Sequence, residues 1–185
     1  MPDLPPALLQ RLRGLVQTSQ LPRRGAWLSA GQRWQQMVWV QQGALRLYYL
    51  DRDGHESVKN FFLDGGWCWP ITPTLAEQPV SFFIEALEPT HLCWWPWAQW
   101  AALLADEPAW ARWQQQTLTR LLDDKLRREQ QFLQCSAQAR YHALCQAHPE
   151  WLARVPLRQL ASYLGMTDVS LSRLRRRARQ GLNTG

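Results

Sequence analysis

The part of the chain best equipped for chemistry is its basic end. Leu157 to Gly185 carries six arginines, Arg158, Arg173, Arg175, Arg176, Arg177 and Arg179, against one acid, Asp168, so six minus one leaves +5 of the net +6 in this segment. Guanidinium forks match phosphate oxygens and guanine edges two bonds at a time, which points to a polyanionic partner and specifically to double-stranded DNA. The spacing around these charges is that of two crossing helices. Leu157, Leu160 and Leu164 recur at helical intervals, Ala161 is small where a second helix would cross, and Gly165 can take the positive φ that closes the first helix. Thr167 suits the N-cap of the second helix, and Leu171 and Leu174 face back to the first. That leaves Thr167, Asp168, Val169, Ser170, Ser172, Arg173, Arg176 and Arg177 facing outward, as the groove-entering side of a helix-turn-helix requires. An ordinary helical hairpin with a solvated basic face would explain the charge but not the placing of Ala161 and Gly165.

Other chemistries lack their residues. No nucleophile, base and orienting group converge in sequence, and the Asp123-Asp124 pair is adjacent on a helix, where two carboxylates cannot face one substrate. His55, His91, His142 and His148 are isolated, and Cys68, Cys93, Cys135 and Cys145 form no CxxC pair. No catalytic or metal-ligating residue is nominated, no cofactor is called for, and the thiols are expected to be reduced. Two competing readings stay open: a small-molecule-binding β-barrel protein or enzyme whose C-terminal helices play no role in DNA binding, and an interaction module whose basic helix takes an acidic protein. Hydroxyls beside arginines on the outward face favour DNA.

The elements that must position this face can be read from texture. With 185 residues, 46% hydrophobic and 19% charged, the composition excludes fibrous and disordered classes. The longest nearly apolar run, Leu92 to Ala105, is too short for a bilayer and is interrupted by Pro96 and Gln99. Met1 to Gln17, with Pro2, Pro5 and Pro6, does not read as a secretory signal, so a cytoplasmic protein without membrane contact is expected. Leu4 to Val16 has the period of a short amphipathic helix. From Gly25 to Trp97, glycine-bounded runs predict strands over Met37 to Gln41, Ala44 to Leu50, Glu56 to Leu63, Val80 to Leu87 and Thr90 to Trp95, an antiparallel sandwich or barrel. A helix of about 25 residues follows around Trp110 to Leu133. Its apolar stripe is longer than a small β domain can cover, so Trp113, Leu118, Leu121, Leu122 and Lys125 are expected at a homodimer seam. Trp67, Trp69, Trp94, Trp95, Trp97 and Trp100 crowd one region, either as the wall of a site for a planar or apolar effector or as plain core.

Several segments in this order resemble the CRP/FNR family of bacterial transcription regulators. They are Val40-Gln41-Gln42-Gly43-Ala44-Leu45-Arg46, Asp53-Gly54-His55-Glu56, Phe82-Phe83-Ile84-Glu85-Ala86-Leu87, Ala139-Arg140-Tyr141, Pro149-Glu150, Arg154-Val155-Pro156-Leu157, Leu160-Ala161-Ser162-Tyr163-Leu164-Gly165 and Ser170-Leu171-Ser172-Arg173. The resemblance implies an α+β fold: an N-terminal antiparallel jelly-roll β-roll of the cyclic-nucleotide-binding kind over 1–106, a long dimerisation helix over 107–134 and a C-terminal helix-turn-helix domain over 135–185. It implies DNA, a second copy of the chain and RNA polymerase as partners, and a base or phosphate contact for Arg173. The sequence departs from the family in two places. Val169 stands where the family's base-reading Glu is found, and eight residues after Arg177 leave no room for a β-wing. In the sensor half, Pro70 and Val80 stand where nucleotide-binding members carry the Glu for the ribose and the Arg for the cyclic phosphate. A phosphate buried against valine would lack its charge partner, so cyclic AMP is not the expected effector. If another ligand binds, Gly66, Trp67, Trp69, Val80 and Ser81 would line its pocket.

Overall fold

Short runs of chain pair into two four-stranded antiparallel sheets, and the other regular elements among the described residues are helices. The computed structural model describes residues 4–182, with side chains as far as Arg177; Arg179, one of the six arginines above, has its side chain outside that description. One sheet is ordered β1 (Gln17–Leu21), β8 (Thr90–Pro96), β3 (Gln36–Gln42), β6 (Trp67–Cys68). The other is ordered β2 (Ala26–Leu28), β7 (Phe83–Ala86), β4 (Ala44–Leu50), β5 (Glu56–Leu63). α1 (Pro6–Leu15) precedes the sheets, α2 (Pro73–Glu77) joins β6 to β7, and α3 (Trp97–Leu103) leads into α4 (Pro108–Gln134). Then come α5 (Ala137–Ala147), α6 (Pro149–Arg154), α7 (Leu157–Tyr163) and α8 (Asp168–Leu182).

Alternation along the strands makes two cores. Val38 and Val40 on β3, Leu45 and Leu47 on β4, Ile84 on β7 and Leu92 on β8 meet between the sheets with Trp34, Val80 and Phe82. Met37 on β3 and Trp95 on β8 point the other way, against Leu12, Trp100, Leu104 and Trp110 of the helices. Each such buried side chain contributes about 1.5 to 3 kcal/mol. On β4, Arg46 is buried in a pair with Glu85, Nη2 to Oε1 at 3.1 Å, and its guanidinium lies over the Tyr48 ring at 3.9 Å. The pairing satisfies a charge that would otherwise be costly to bury.

Packing divides the chain into two compact units, one from Met1–Tyr49 with Asn60–Leu122 and one from Leu50–Lys59 with Asp123–Gly185. The limits expected from the sequence, 1–106, 107–134 and 135–185, follow element ends, whereas this division falls inside α4 and joins the tip of the β4–β5 hairpin to the C-terminal helices. No helix among the described residues is long and apolar enough to cross a membrane.

Candidate nucleic-acid interface

The pair α7–α8 is built on a small core. Leu160, Ala161, Leu164 and Leu171 are fully buried, backed by Tyr141 and Leu144 of α5 and Trp151 of α6. α7 ends as its sequence suggests. Gly165 has φ +63°, its N–H donates to the Ser162 carbonyl at 3.1 Å, and the Met166 N–H donates to the Ala161 carbonyl at 3.0 Å. These two bonds satisfy the last carbonyls of the helix in the Schellman arrangement. A Cβ at Gly165 would also run into Cε1 of Phe132 on α4, so this turn needs glycine twice over.

α8 starts from Thr167, whose Oγ1 accepts from the Ser170 N–H at 3.2 Å. Asp168 Oδ1 accepts from the Val169 N–H at 2.9 Å, placing a carboxylate at the positive end of the helix. Thr167, Asp168, Val169, Ser170, Ser172, Arg173, Arg176 and Arg177 are all exposed, while Leu174 and Arg175 are half-buried beside Leu171. At about 100° per residue, Val169 and Arg173 each lie roughly 20° from the direction opposite Leu171. The outward face is therefore a row of Val169, Arg173 and Arg176 flanked by Ser172 and Arg177.

Behind this face, contacts that local sequence does not announce hold the pair in place. Arg128 on α4 donates to the carbonyls of Val58 (3.2 Å), Lys59 (2.9 Å) and Tyr163 (2.8 Å), and its guanidinium lies 4.2 Å from the Tyr163 ring centre. Arg140 donates to the Leu164 and Cys135 carbonyls at 3.0 and 2.9 Å. Ser162 Oγ bridges the exposed edge of β5, donating to the Glu56 carbonyl at 2.9 Å and accepting from the Val58 N–H at 3.0 Å. Burial pulls the Arg128 pKa down and pushes that of Tyr163 up. Lys125 is also lowered, first by burial and then by the charges of Lys59 and Arg128. The hydrogen-bonding roles of Arg128 and Ser162 do not follow from the sequence, because their partners lie 35 to 106 residues away and no local period marks them.

The five residues proposed as a ligand pocket do not come together. Val80 lies in the core between the sheets, next to Trp34 and Phe82, whose rings meet edge to face at 5.7 Å. Trp67 and Trp69 belong to the other face of the first sheet. Trp67 stacks between Trp39 and Trp95 at 6.0 and 5.7 Å, and Trp69 stacks on Trp113 at 4.9 Å. Gly66 is half-buried and Ser81 exposed. Of the six crowded tryptophans, Trp67, Trp69, Trp95, Trp97 and Trp100 share the helix-facing core, while Trp94 packs on the inner one. Of the nominated seam residues, Trp113 is taken up by stacking on Trp69 and Trp110 of its own chain. Leu118 and Leu122 are 41% and 57% exposed, and Leu126 (55%) and Leu133 (77%) are exposed further along the same helix. Leu121 is half-buried, and Lys125 is exposed on the surface of α4.

A β-roll followed by a long helix and an α7–α8 pair is an arrangement with solved counterparts. FixK2 from Bradyrhizobium japonicum matches at a TM-score of 0.78 and 16% identity, over 90% of this chain and 85% of that one. CooA from Carboxydothermus hydrogenoformans matches at 0.74 and 17%, over 97% and 81%. A transcriptional regulator of the crp/fnr family from Eubacterium rectale matches at 0.71 and 17%, over 97% and 85%. The fold is that of the CRP/FNR regulators. No protein-family model and no curated protein matches the sequence. The CRP/FNR likeness thus rests on backbone arrangement, and what the chain does must be argued from its own side chains.

Proposed function

We propose that the chain is a dimeric, sequence-specific DNA-binding transcription regulator, not an enzyme, whose β-roll does not use the cyclic-phosphate contacts of nucleotide-binding CRP/FNR members. The observation that carries this reading is the outward face of α8: Arg173, Arg176 and Arg177 exposed opposite a buried Leu171, on a helix capped at Thr167 and held by the Gly165 turn. Arginine rows on the exposed face of a capped helix suit the major groove. The exposed leucines Leu118, Leu122, Leu126 and Leu133 support a second copy of the chain as the partner of α4. Val80 among aromatic side chains offers no cation to a cyclic phosphate. Among solved structures in the same fold is a c-di-GMP-responsive global regulator from Xanthomonas campestris, in keeping with an effector other than cyclic AMP.

The test is selection of bound sequences from a random DNA pool with purified protein, followed by fluorescence anisotropy across a salt series. A roughly palindromic site with half-sites about 34 Å apart is expected. No enriched sequence, or binding indifferent to salt, would overturn the reading.

A further inference from the structure

We infer that Val169 reads the 5-methyl group of a thymine in each half-site. This inference rests on the DNA-binding reading and extends it to base identity. Val169 is 56% exposed, and among the described side chains of α5 to α8 it is the exposed large hydrophobic one. A β-branched residue at the second position of a solvent-facing helix brings no gain in helix propensity. Nothing in its own unit covers it, and it shares its face with Arg173 four residues on. The polar groups around it are engaged locally: the Thr167 and Ser170 hydroxyls bond each other at 2.9 Å, and Asp168 Oδ1 holds the Val169 N–H. The first turn of a recognition helix is the part that meets base edges, and there this chain presents an isopropyl group.

The chemistry of the major groove leaves such a group one natural partner. Guanine, adenine and cytosine offer donors and acceptors, and thymine adds the C5 methyl. An apolar side chain against any of the polar edges would strip water from them without replacing its hydrogen bonds. Against the methyl it removes apolar surface on both sides. Val169 and Arg173 are separated by about 6 Å along the helix axis, which places the thymine within roughly two base pairs of the base or phosphate that Arg173 contacts. 5-Methylcytosine carries the same methyl in the same place, so the residue discriminates a methylated pyrimidine rather than thymine as such.

The experiment takes the selected operator and replaces each thymine by uracil, which deletes the methyl and leaves every hydrogen bond of the base pair. One symmetric position should lose about fourfold in affinity per half-site and about fifteenfold for both, the equivalent of one buried methyl each. Val169→Asn, which replaces the isopropyl group by a polar amide, should bind the thymine and uracil operators alike. At that position cytosine should be disfavoured and 5-methylcytosine should recover part of the loss. Uracil tolerated within about twofold everywhere, against that expected loss, overturns the inference while leaving DNA binding intact. Discrimination that survives in Val169→Asn assigns the methyl to another residue and overturns it equally. Failure to enrich any operator removes the DNA-binding reading itself, and the inference with it.

Discussion

Arginines on one helix need not do the same work. Arg173 projects directly away from Leu171, whereas Arg176 and Arg177 lie one turn further from the capped end at Thr167. Arg173→Ala is therefore expected to weaken operator binding by about 1 to 3 kcal/mol while hardly changing binding to random DNA. Neutralising Arg176 and Arg177 should weaken both alike and flatten the log-affinity against log-salt slope by about 0.9 per lost phosphate contact. Anisotropy on both DNAs decides it, and equal losses for Arg173→Ala would make that residue a backbone contact. A second single residue sets an alkaline limit. Burial raises the Cys68 thiol from 9.0 to about 12. As pH climbs above 9 the unfolded chain releases this proton and the folded chain keeps it, so the stability held below pH 9 falls by up to about 1.4 kcal/mol per pH unit until the folded thiol itself ionises. Urea titrations of wild type and Cys68→Ala should show equal slopes of stability against pH below 9 and a shallower decline in the variant above it. Parallel curves throughout would refute the assignment.

At the scale of elements, the α7–α8 turn and the Arg128 contacts carry the fold of the second unit. Gly165→Ala forces a Cβ into the left-handed region, at about 1 to 2 kcal/mol, and pushes Phe132 aside as well. Arg128→Met would leave the Val58, Lys59 and Tyr163 carbonyls without their shared donor, a loss expected to exceed about 2 kcal/mol. Arg128→Lys should restore little of it, since one ammonium cannot replace a planar fork spread over three acceptors. Urea midpoints measure each, and full rescue by lysine would show that charge rather than geometry matters. Much of the element scale was readable beforehand. Strands expected at Ala44 to Leu50 and Glu56 to Leu63 are β4 and β5 to the residue, and the long helix is α4. β1, β2 and β6 were not expected, because Gln17–Leu21 is mostly polar and the other two span three and two residues. They exist through pairing with β8, β7 and β3, partners chosen by the fold.

For the whole molecule, the exposed leucines of α4 and the apolar roll interior make separate claims. Leu122→Glu with Leu126→Glu puts charges on side chains that are 57% and 55% exposed in one chain, so the protomer should keep its fold while the dimer is lost. Sedimentation should report a monomer with unchanged far-ultraviolet circular dichroism, and a persistent dimer would move the seam elsewhere. Calorimetry with cyclic AMP and cyclic GMP should show no heat of binding at millimolar ligand, since Val80, Trp34 and Phe82 present no cation to a phosphate. Micromolar affinity for either would sink that reading.

What the sequence determined by itself was whatever depends on neighbours a few residues apart. Helical period set which residues of α8 look outward, a glycine at the close of α7 set the turn, and glycine-bounded runs marked the longer strands. Tertiary structure decided the rest. Trp67 and Cys68 are adjacent, yet the register of β6 on β3, with Trp39 opposite Trp67 and Val38 opposite Cys68, sends one to the helix-facing core and the other between the sheets. A shift of one residue would exchange them, because side chains alternate across a strand. The nominated pocket dissolved for this reason: its residues are close in sequence but fall on opposite faces of a sheet. Likewise Arg128 and Ser162 find carbonyls 35 to 106 residues away, and such distant partners leave no local period in a sequence, since only chain folding brings their hydrogen-bonding groups within reach.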